Sequence, residues 1–225
     1  MAMQAIVDFI FPSHVGDEPN IDESRVITQA FLNSPCYVEV FRGDEAFRRE
    51  AMEFLFRRNL YLVKTKCPEC VRCFRAQDGE ITCFFMLVPS FGAHHTMYEK
   101  IFEGGILEFG IRYGFNVLSR LIKLSDFADA IDEEFMKGRK YYNLQRMIVT
   151  PEQQGKGIGS KYLGEALKQA DSEQIPVILT TQEERNTVFY ARRGFKLVKQ
   201  TQYPTDDPNY AFTNYVMIRE PQPVH

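Results

Sequence analysis

Three glycines within five residues, Gly155, Gly157 and Gly159, constrain the fold of this chain more than any other feature. They follow an apolar run that ends at Val149, and they precede a run whose apolar residues have helical spacing. Glycine accepts positive φ angles and lets a ligand approach the backbone, while a helix N-terminus favours an anion. The pattern therefore predicts a strand, an anion-binding turn and a helix in succession, which indicates an α/β fold.

The composition is that of a soluble globular protein, with 225 residues, 44% of them apolar and 25% charged. The 27 basic and 30 acidic residues give a net charge of -3, so bulk charge provides no case for nucleic-acid binding. The most apolar long stretch, 101–122, contains four ionisable residues, which argues against a membrane span. The N-terminus lacks the pattern of a secretory leader, and we expect a cytoplasmic protein.

Five cysteines, an odd number without a leader, favour five reduced thiols: Cys36, Cys67, Cys70, Cys73 and Cys83. The spacing of Cys67, Cys70 and Cys73 also raises zinc as an alternative. Zinc prefers four ligands, and no second Cys pair or His pair is near in the sequence, so we expect no metal.

Periodicity and turn residues predict one mixed α/β domain without an internal linker. We expect strands over 36–43, 141–149 and 176–181, a hairpin over 70–87 with its turn at Asp78-Gly79, and two closing strands over 195–201 and 210–218. Helices are expected over 22–33, 44–59, 106–124, 125–137, from the glycine turn to 172, and 186–193.

The glycine turn matches neither a P-loop, which needs Lys-Ser/Thr at the helix start, nor the spacing of a Rossmann turn. As Gln154-Gly155-Lys156-Gly157-Ile158-Gly159 it resembles the Gln/Arg-x-x-Gly-x-Gly/Ala turn of the GNAT superfamily of acyl-CoA N-acyltransferases. A second element, Asn186-x-x-x-Tyr190-x-x-x-Gly194-Phe195, is similar to one that follows in the same family. The two elements agree in order and separation. The close resemblance covers about 141–199. Within the superfamily, the second element is similar to that of puromycin-acetylating enzymes.

The resemblance implies a GNAT-like fold, a mixed, twisted β-sheet flanked by helices whose central parallel strands splay apart. We expect one N-acetyltransferase domain over 1–225, with an acetyl-CoA-binding core at about 141–200 and a helical insert at about 96–137. One departure is Thr180, which stands where related enzymes often carry Glu at the end of the fifth strand.

The resemblance also implies the site residues. The pantetheine arm of acetyl-CoA would pair with the backbone of Met147, Ile148 and Val149, and Asn186 would hold it. Tyr190, one helical turn later, would protonate the departing thiolate. The pyrophosphate would take N–H groups from Gln154, Gly155, Lys156, Gly157, Ile158, Gly159 and Ser160.

Several alternatives stay open at this point. The candidates for the base that accepts the amine's proton are Glu133, Glu134, Glu183, Glu184, His94 and His95, and the proton could also leave through water. The acceptor is expected to be a small-molecule amine, with no nucleic acid or membrane as partner. A protein acetyltransferase, a catalytically silent acyl-CoA-binding module, a longer acyl group and a homodimer remain alternatives.

Overall fold

A computed structural model describes residues 20–92 and 96–223. Its helices are α1 (Ile21–Phe31), α2 (Pro35–Val40), α3 (Glu45–Lys66), α4 (Ile106–Tyr113), α5 (Phe115–Met136), α6 (Ile158–Ser172) and α7 (Glu184–Ala191). Its strands are β1 (Val71–Arg75), β2 (Ile81–Pro89), β3 (Tyr142–Val149), β4 (Val177–Thr181), β5 (Lys196–Gln202) and β6 (Thr213–Arg219). No helix among the described residues combines the length and the apolar character that a membrane crossing requires.

The six strands form one mixed sheet in the order β1-β2-β3-β4-β6-β5. Only β3 and β4 run parallel, and every other neighbouring pair is antiparallel. Helices α6 and α7 pack against one face of the sheet around Leu163, Leu179 and Met217. The remaining helices cover the other face, where Phe56, Phe84 and Ile148 lie in a second core. The expected mixed sheet flanked by helices is confirmed.

Most predicted elements are confirmed, and Asp44 shows why one helix begins where the sequence indicated. The Asp44 carboxylate accepts a hydrogen bond of 2.8 Å from the backbone N–H of Phe47, as an N-cap residue should. The hairpin of β1 and β2 and the helix after the glycine turn also lie where they were expected.

The strand predicted over 36–43 is wrong, because Pro35–Val40 forms the short helix α2. Proline fits the first turn of a helix, since its ring sets a helical φ and its missing N–H is not needed there. Tyr37 of this helix meets the Phe56 ring of α3 edge-on at 5.3 Å, and Glu39 forms an ion pair at 2.7 Å with Arg42 just beyond the helix end. The β-branched and aromatic residues of this segment are a weak predictor against such tertiary contacts.

The helix boundary predicted near Ser125 is also wrong. The break falls at Gly114, whose φ is 98°, and α5 then continues without interruption to Met136. Gly110 makes this break compact, because a Cβ there would lie 2.8 Å from the Phe115 ring. The two helices therefore meet at a corner that apolar periodicity alone does not reveal.

The prediction of five free thiols is wrong. Cys67 and Cys70 form a disulfide at the end of α3, whereas Cys36, Cys73 and Cys83 are free. A Pro at position 68 starts a short 3-10 turn that brings the two sulfurs together. Five reduced thiols were one reason to expect a cytoplasmic location, and the disulfide removes that reason. The cytoplasmic location stays a prediction.

Candidate active site

The central feature of the site is a gap between two parallel strands. β3 and β4 pair only at their first residues, Tyr142 with Val177 and Asn143 with Ile178, and then separate. Backbone groups on the facing edges of a separated pair have no ladder partner and are available to a ligand. The expected splay of the central strands is therefore confirmed.

A β-bulge in β3 lies beside this gap. Phe84 is paired with Ile148, but Met86 is paired with Gln145, so β3 contains one more residue than β2 over this interval. Arg146 is in the bulge with a φ of 51°, a conformation that costs a non-glycine residue energy. The bulge turns Met147 and Val149 toward the core under α6, and it turns Ile148 toward the opposite core.

The glycine turn joins the end of β3 to the start of α6. Gly155 and Gly157 have φ angles of 76° and 79°, and Gly157 is the N-cap of α6. Gly159 has another role, because a Cβ there would lie 2.8 Å from Val149 and 3.2 Å from Met147. The first two glycines provide the turn, and the third lets the helix approach the strand.

Free N–H groups and positive charge accompany the turn. The first turn of α6, from Ile158 to Ser160, has N–H groups without intrahelical partners. The Arg193 guanidinium lies 3.5 Å from the centre of the Phe189 ring and donates to the Ser160 hydroxyl. The side-chain amide of Gln154 donates to the Val149 carbonyl at 3.0 Å, which ties the turn to the end of β3. This arrangement suits a phosphate group.

Helix α7 carries the two remaining predicted residues. Asn186 donates to the Thr181 hydroxyl at 3.2 Å, and Glu183 rather than Asn186 is the N-cap residue of this helix. Tyr190 is buried, with its ring 5.2 Å from that of Phe189. Burial raises the pKa of Tyr190 to about 12, so the phenol is a proton donor at neutral pH.

The structure thus places the predicted residues on three adjacent elements at one end of the sheet. The strand β3 provides the first group, the glycine turn and the start of α6 provide the second, and α7 provides the third. In that order they are Met147, Ile148 and Val149; Gln154, Gly155, Lys156, Gly157, Ile158, Gly159 and Ser160; and Asn186 and Tyr190.

Polar and aromatic side chains lie on the other face of the sheet, beyond the end of β4. The Gln182 amide donates to the Asn214 side-chain oxygen at 2.8 Å. The Cys36 thiol is 3.6 Å from the Gln182 oxygen, and burial raises its pKa to about 11, which keeps it protonated at neutral pH. Asn214 is 2% exposed, and its Nδ2 has no partner among the described residues.

Three rings border this polar group. The ring of Tyr203 is stacked on that of Phe212 at 4.9 Å, and it meets the ring of Phe127 edge-on at 5.2 Å. Sequence reasoning missed Arg146, Arg193, Gln182 and Asn214. Arg193 had a local indication in the sequence, since it directly precedes the glycine of the second motif, whereas the other three require the bulge and the strand register to be known.

The base candidates do not converge on one residue. Glu134 forms an ion pair with Lys199 at 2.6 Å, and Glu183 forms one with Arg185 at 3.4 Å. His94 and His95 lie outside the described residues.

Comparison with known proteins places these elements in context. A model of the acetyltransferase (GNAT) domain matches residues 122–197, which include β3, the glycine turn and α7. A solved structure of histone acetyltransferase HPA2 and related acetyltransferase from Corynebacterium glutamicum is 16% identical, with a TM-score of 0.56, 93% of this chain covered and 95% of that chain.

Two further structures share the fold at lower identity. The polyamine N-acetyltransferase of Drosophila melanogaster, which forms N-acetylagmatine, is 12% identical with a TM-score of 0.56, covering 89% of this chain and 96% of that one. A phosphinothricin acetyltransferase from Sinorhizobium meliloti, solved with AcCoA, is 10% identical with a TM-score of 0.51, covering 91% and 85%. The named acceptors differ between these proteins, although the fold is common to all.

Proposed function

We propose that this chain, whose residues 122–197 match a model of the acetyltransferase (GNAT) domain, moves the acetyl group of acetyl-CoA to the primary amine of a small molecule. The observation that carries the proposal is the gap between β3 and β4, which opens beside the anion-binding turn at the start of α6. The gap offers backbone groups to an extended amide-containing arm, and the turn offers N–H groups to a pyrophosphate.

The strand geometry indicates which amides would contact the cosubstrate. The Thr150 N–H donates to the Thr82 carbonyl on β2 at 3.1 Å. Because successive residues of a strand alternate in direction, the N–H groups of Val149 and Met147 are directed toward the gap. We therefore assign polarisation of the thioester carbonyl to the N–H group of Val149. The N–H group of Met147 would contact the pantetheine arm, and Asn186 would be the second contact of that arm.

The reaction would be a direct attack. The neutral amine attacks the thioester carbonyl carbon, the C–N bond forms, the C–S bond breaks, and CoA leaves as a thiolate. Tyr190 donates its phenolic proton to that sulfur, and the amine's proton leaves to a base or to water. Cys36 supports direct attack over an acyl-enzyme, because its thiol has a raised pKa and is not a nucleophile at neutral pH.

We assign the acceptor to the region beyond the end of β4, and the aromatic groups of this acceptor side favour a small acceptor over a protein acceptor. The stacked rings of Tyr203 and Phe212, with Phe127, form an apolar border beside the end of β4. Such a border suits a compact ligand, since small-molecule sites combine apolar walls with a few polar groups.

Tyr190→Phe tests the proposed chemistry, because it keeps the ring and removes the proton. We expect turnover, followed as free thiol released with amine acceptors, to fall roughly 10- to 1,000-fold. The affinity for acetyl-CoA in calorimetry should stay nearly unchanged, since the hydroxyl acts only as the sulfur departs. Tyr162→Phe is the matched control. Tyr162 lies in α6 and is stacked on Phe74 of β1, and it has no role in the proposed chemistry. Equal loss of affinity and turnover would assign Tyr190 to packing, and a wild-type protein that does not bind acetyl-CoA would refute the function.

A further inference from the structure

We infer that the acceptor amine also carries an anionic oxygen group, a carboxylate or a phosphonate, and that Arg146 binds it. This inference rests on the proposed function and adds the substrate class. Arg146 immediately precedes the residues assigned to the cosubstrate, Met147 to Val149, on the strand that borders the gap. The bulge sets this position, with the left-handed backbone of Arg146 at its centre.

The side chain of Arg146 has only neutral contacts. Its guanidinium donates to the Asn59 side-chain oxygen at 2.8 Å and lies 3.7 Å from the Met86 sulfur. It also lies over the Phe56 ring, 5.0 Å from its centre. The Nε atom is buried and has no hydrogen-bond partner in the described part of the chain. The guanidinium is therefore held in place without being neutralised.

Three partly buried arginines of this protein form ion pairs with carboxylates, whereas the hydrogen bonds of Arg146, like those of Arg72 and Arg193, go to neutral groups. Arg42 pairs with Glu39, Arg58 with Glu108 and Arg219 with Asp171, all at 2.8 Å or less. Within residues 20–92 and 96–223, no carboxylate forms an ion pair with Arg146. Removing a charge from water is costly unless an opposite charge compensates, so this guanidinium suits an anion that arrives with a ligand.

The neighbouring groups extend this positive environment to the acceptor side. Burial raises the pKa of both Cys36 and Tyr37, and the charge of Arg146 opposes that rise at each of them. The nearby carboxylate of Glu39 is engaged by Arg42, while Gln182 and Asn214 contribute neutral amides. A polycation would meet repulsion here, whereas an amine with an attached anion would be attracted.

The same charge would assist the chemistry. An amine held near a guanidinium has a lowered pKa, because like charges disfavour its protonated form. The attacking amine must be neutral, so Arg146 would favour the reactive form while the ligand's own anion offsets the cost of binding. Both effects predict discrimination between acceptors that differ only in the anion.

The test uses matched acceptors and matched arginine variants. Phenylalanine and phenethylamine differ only in the carboxylate, and spermidine represents polycations. We expect kcat/KM to be at least about 10-fold higher for phenylalanine than for phenethylamine, with spermidine lowest. Arg146→Gln should reduce kcat/KM for phenylalanine roughly 10- to 100-fold and leave phenethylamine within about 3-fold. Arg139→Gln, at an exposed pair with Glu220, is the control and should change neither value.

A binding measurement separates this inference from the proposed function. N-acetylphenylalanine should bind the wild type more tightly than N-acetylphenethylamine in calorimetry, and Arg146→Gln should abolish the difference. If Arg146→Gln does not fold, Arg146→Lys keeps the charge without the planar fork and should retain part of the preference. Equal handling of the paired acceptors would overturn the inference while the function stands. No acetyl-CoA binding and no turnover with any amine would instead refute the function.

Discussion

The two edges of β4 differ in a way that separates stability from chemistry. Toward β6 the strand is paired along its whole length, with five residue pairs from Val177 to Thr181. Toward β3 it has two pairs and then an open gap. The paired edge satisfies its backbone groups internally, and the open edge leaves them for a ligand. One short strand therefore anchors the fold on one side and offers a binding surface on the other.

The largest effect is expected from placing a negative charge at the open edge. Gly157→Asp puts a carboxylate at the N-cap of α6, where the phosphates would lie, and it does so at a φ of 79°. Space is not the cause, because a Cβ at Gly157 meets no atom within 4 Å. We expect acetyl-CoA affinity to fall by roughly 100-fold or more, through like-charge repulsion. Calorimetry would measure this.

Gly164→Asp is the control for that variant, since it adds the same charge later in α6, where a Cβ also meets nothing. Its affinity for acetyl-CoA should be close to that of the wild type. If both variants lose affinity equally, the net charge of the helix rather than the glycine turn controls binding.

An intermediate effect is expected where the paired edge is anchored. Arg219, at the end of β6, makes two bonds of 2.6 and 2.8 Å with Asp171 on α6, and the two side chains are only 7% and 13% exposed. Asp171→Asn should lower the free energy of unfolding by about 2–4 kcal/mol at pH 7, because it leaves a buried charge unpaired. Chemical denaturation would measure the loss.

The pH dependence of that loss distinguishes the ion pair from packing. The hydrogen bonds of Arg219 lower the pKa of Asp171, so the stabilisation is fully present above the carboxyl's usual value of about 3.9. It should disappear as the pH falls below that value, and the curves of wild type and Asp171→Asn should then converge. A difference that stays constant down to about pH 2 would indicate a packing defect instead.

The smallest effect concerns the pH profile of turnover, in which we expect no descending limb from Tyr190. Because burial raises the pKa of Tyr190 to about 12, this proposed acid stays protonated throughout the range in which amines lose their protons. Turnover should rise with pH as the acceptor becomes neutral and should not fall before about pH 10. A descending limb near pH 8 or 9 in a steady-state profile would assign the acid role to another group.

The sequence predicted the C-terminal part of the fold well because its determinants are local. The glycines at 155 and 157 are required by positive φ angles, and the spacing of Asn186 and Tyr190 follows from one helical turn. The N-terminal errors have tertiary causes. The helix Pro35–Val40 packs on α3 through the contact of Tyr37 with Phe56, and the corner at Gly114 depends on the packing of Phe115.

The candidate site was predictable only where the backbone carries it. The proposed cosubstrate side consists of N–H groups on a motif, and the motif is visible in the sequence. The proposed acceptor side consists of side chains from separate elements, such as Cys36, Gln182 and Asn214, which approach each other only after the sheet has formed. Arg146 could not be predicted either, because its neighbours along the chain do not indicate that its side chain forms no ion pair with a described carboxylate.

The bulge at Arg146 has a consequence for how this strand tolerates change in length. Leu144 and Val149 are an odd number of residues apart, yet both pack in the core under α6, because the extra residue reverses the alternation. Deleting Arg146 would bring Leu144 and Val149 to an even separation, so a regular ladder would keep both residues, together with Met147, on the face under α6. The extra residue therefore does not set the core pattern of β3, and its effect is the bulge in which Arg146 lies beside the gap.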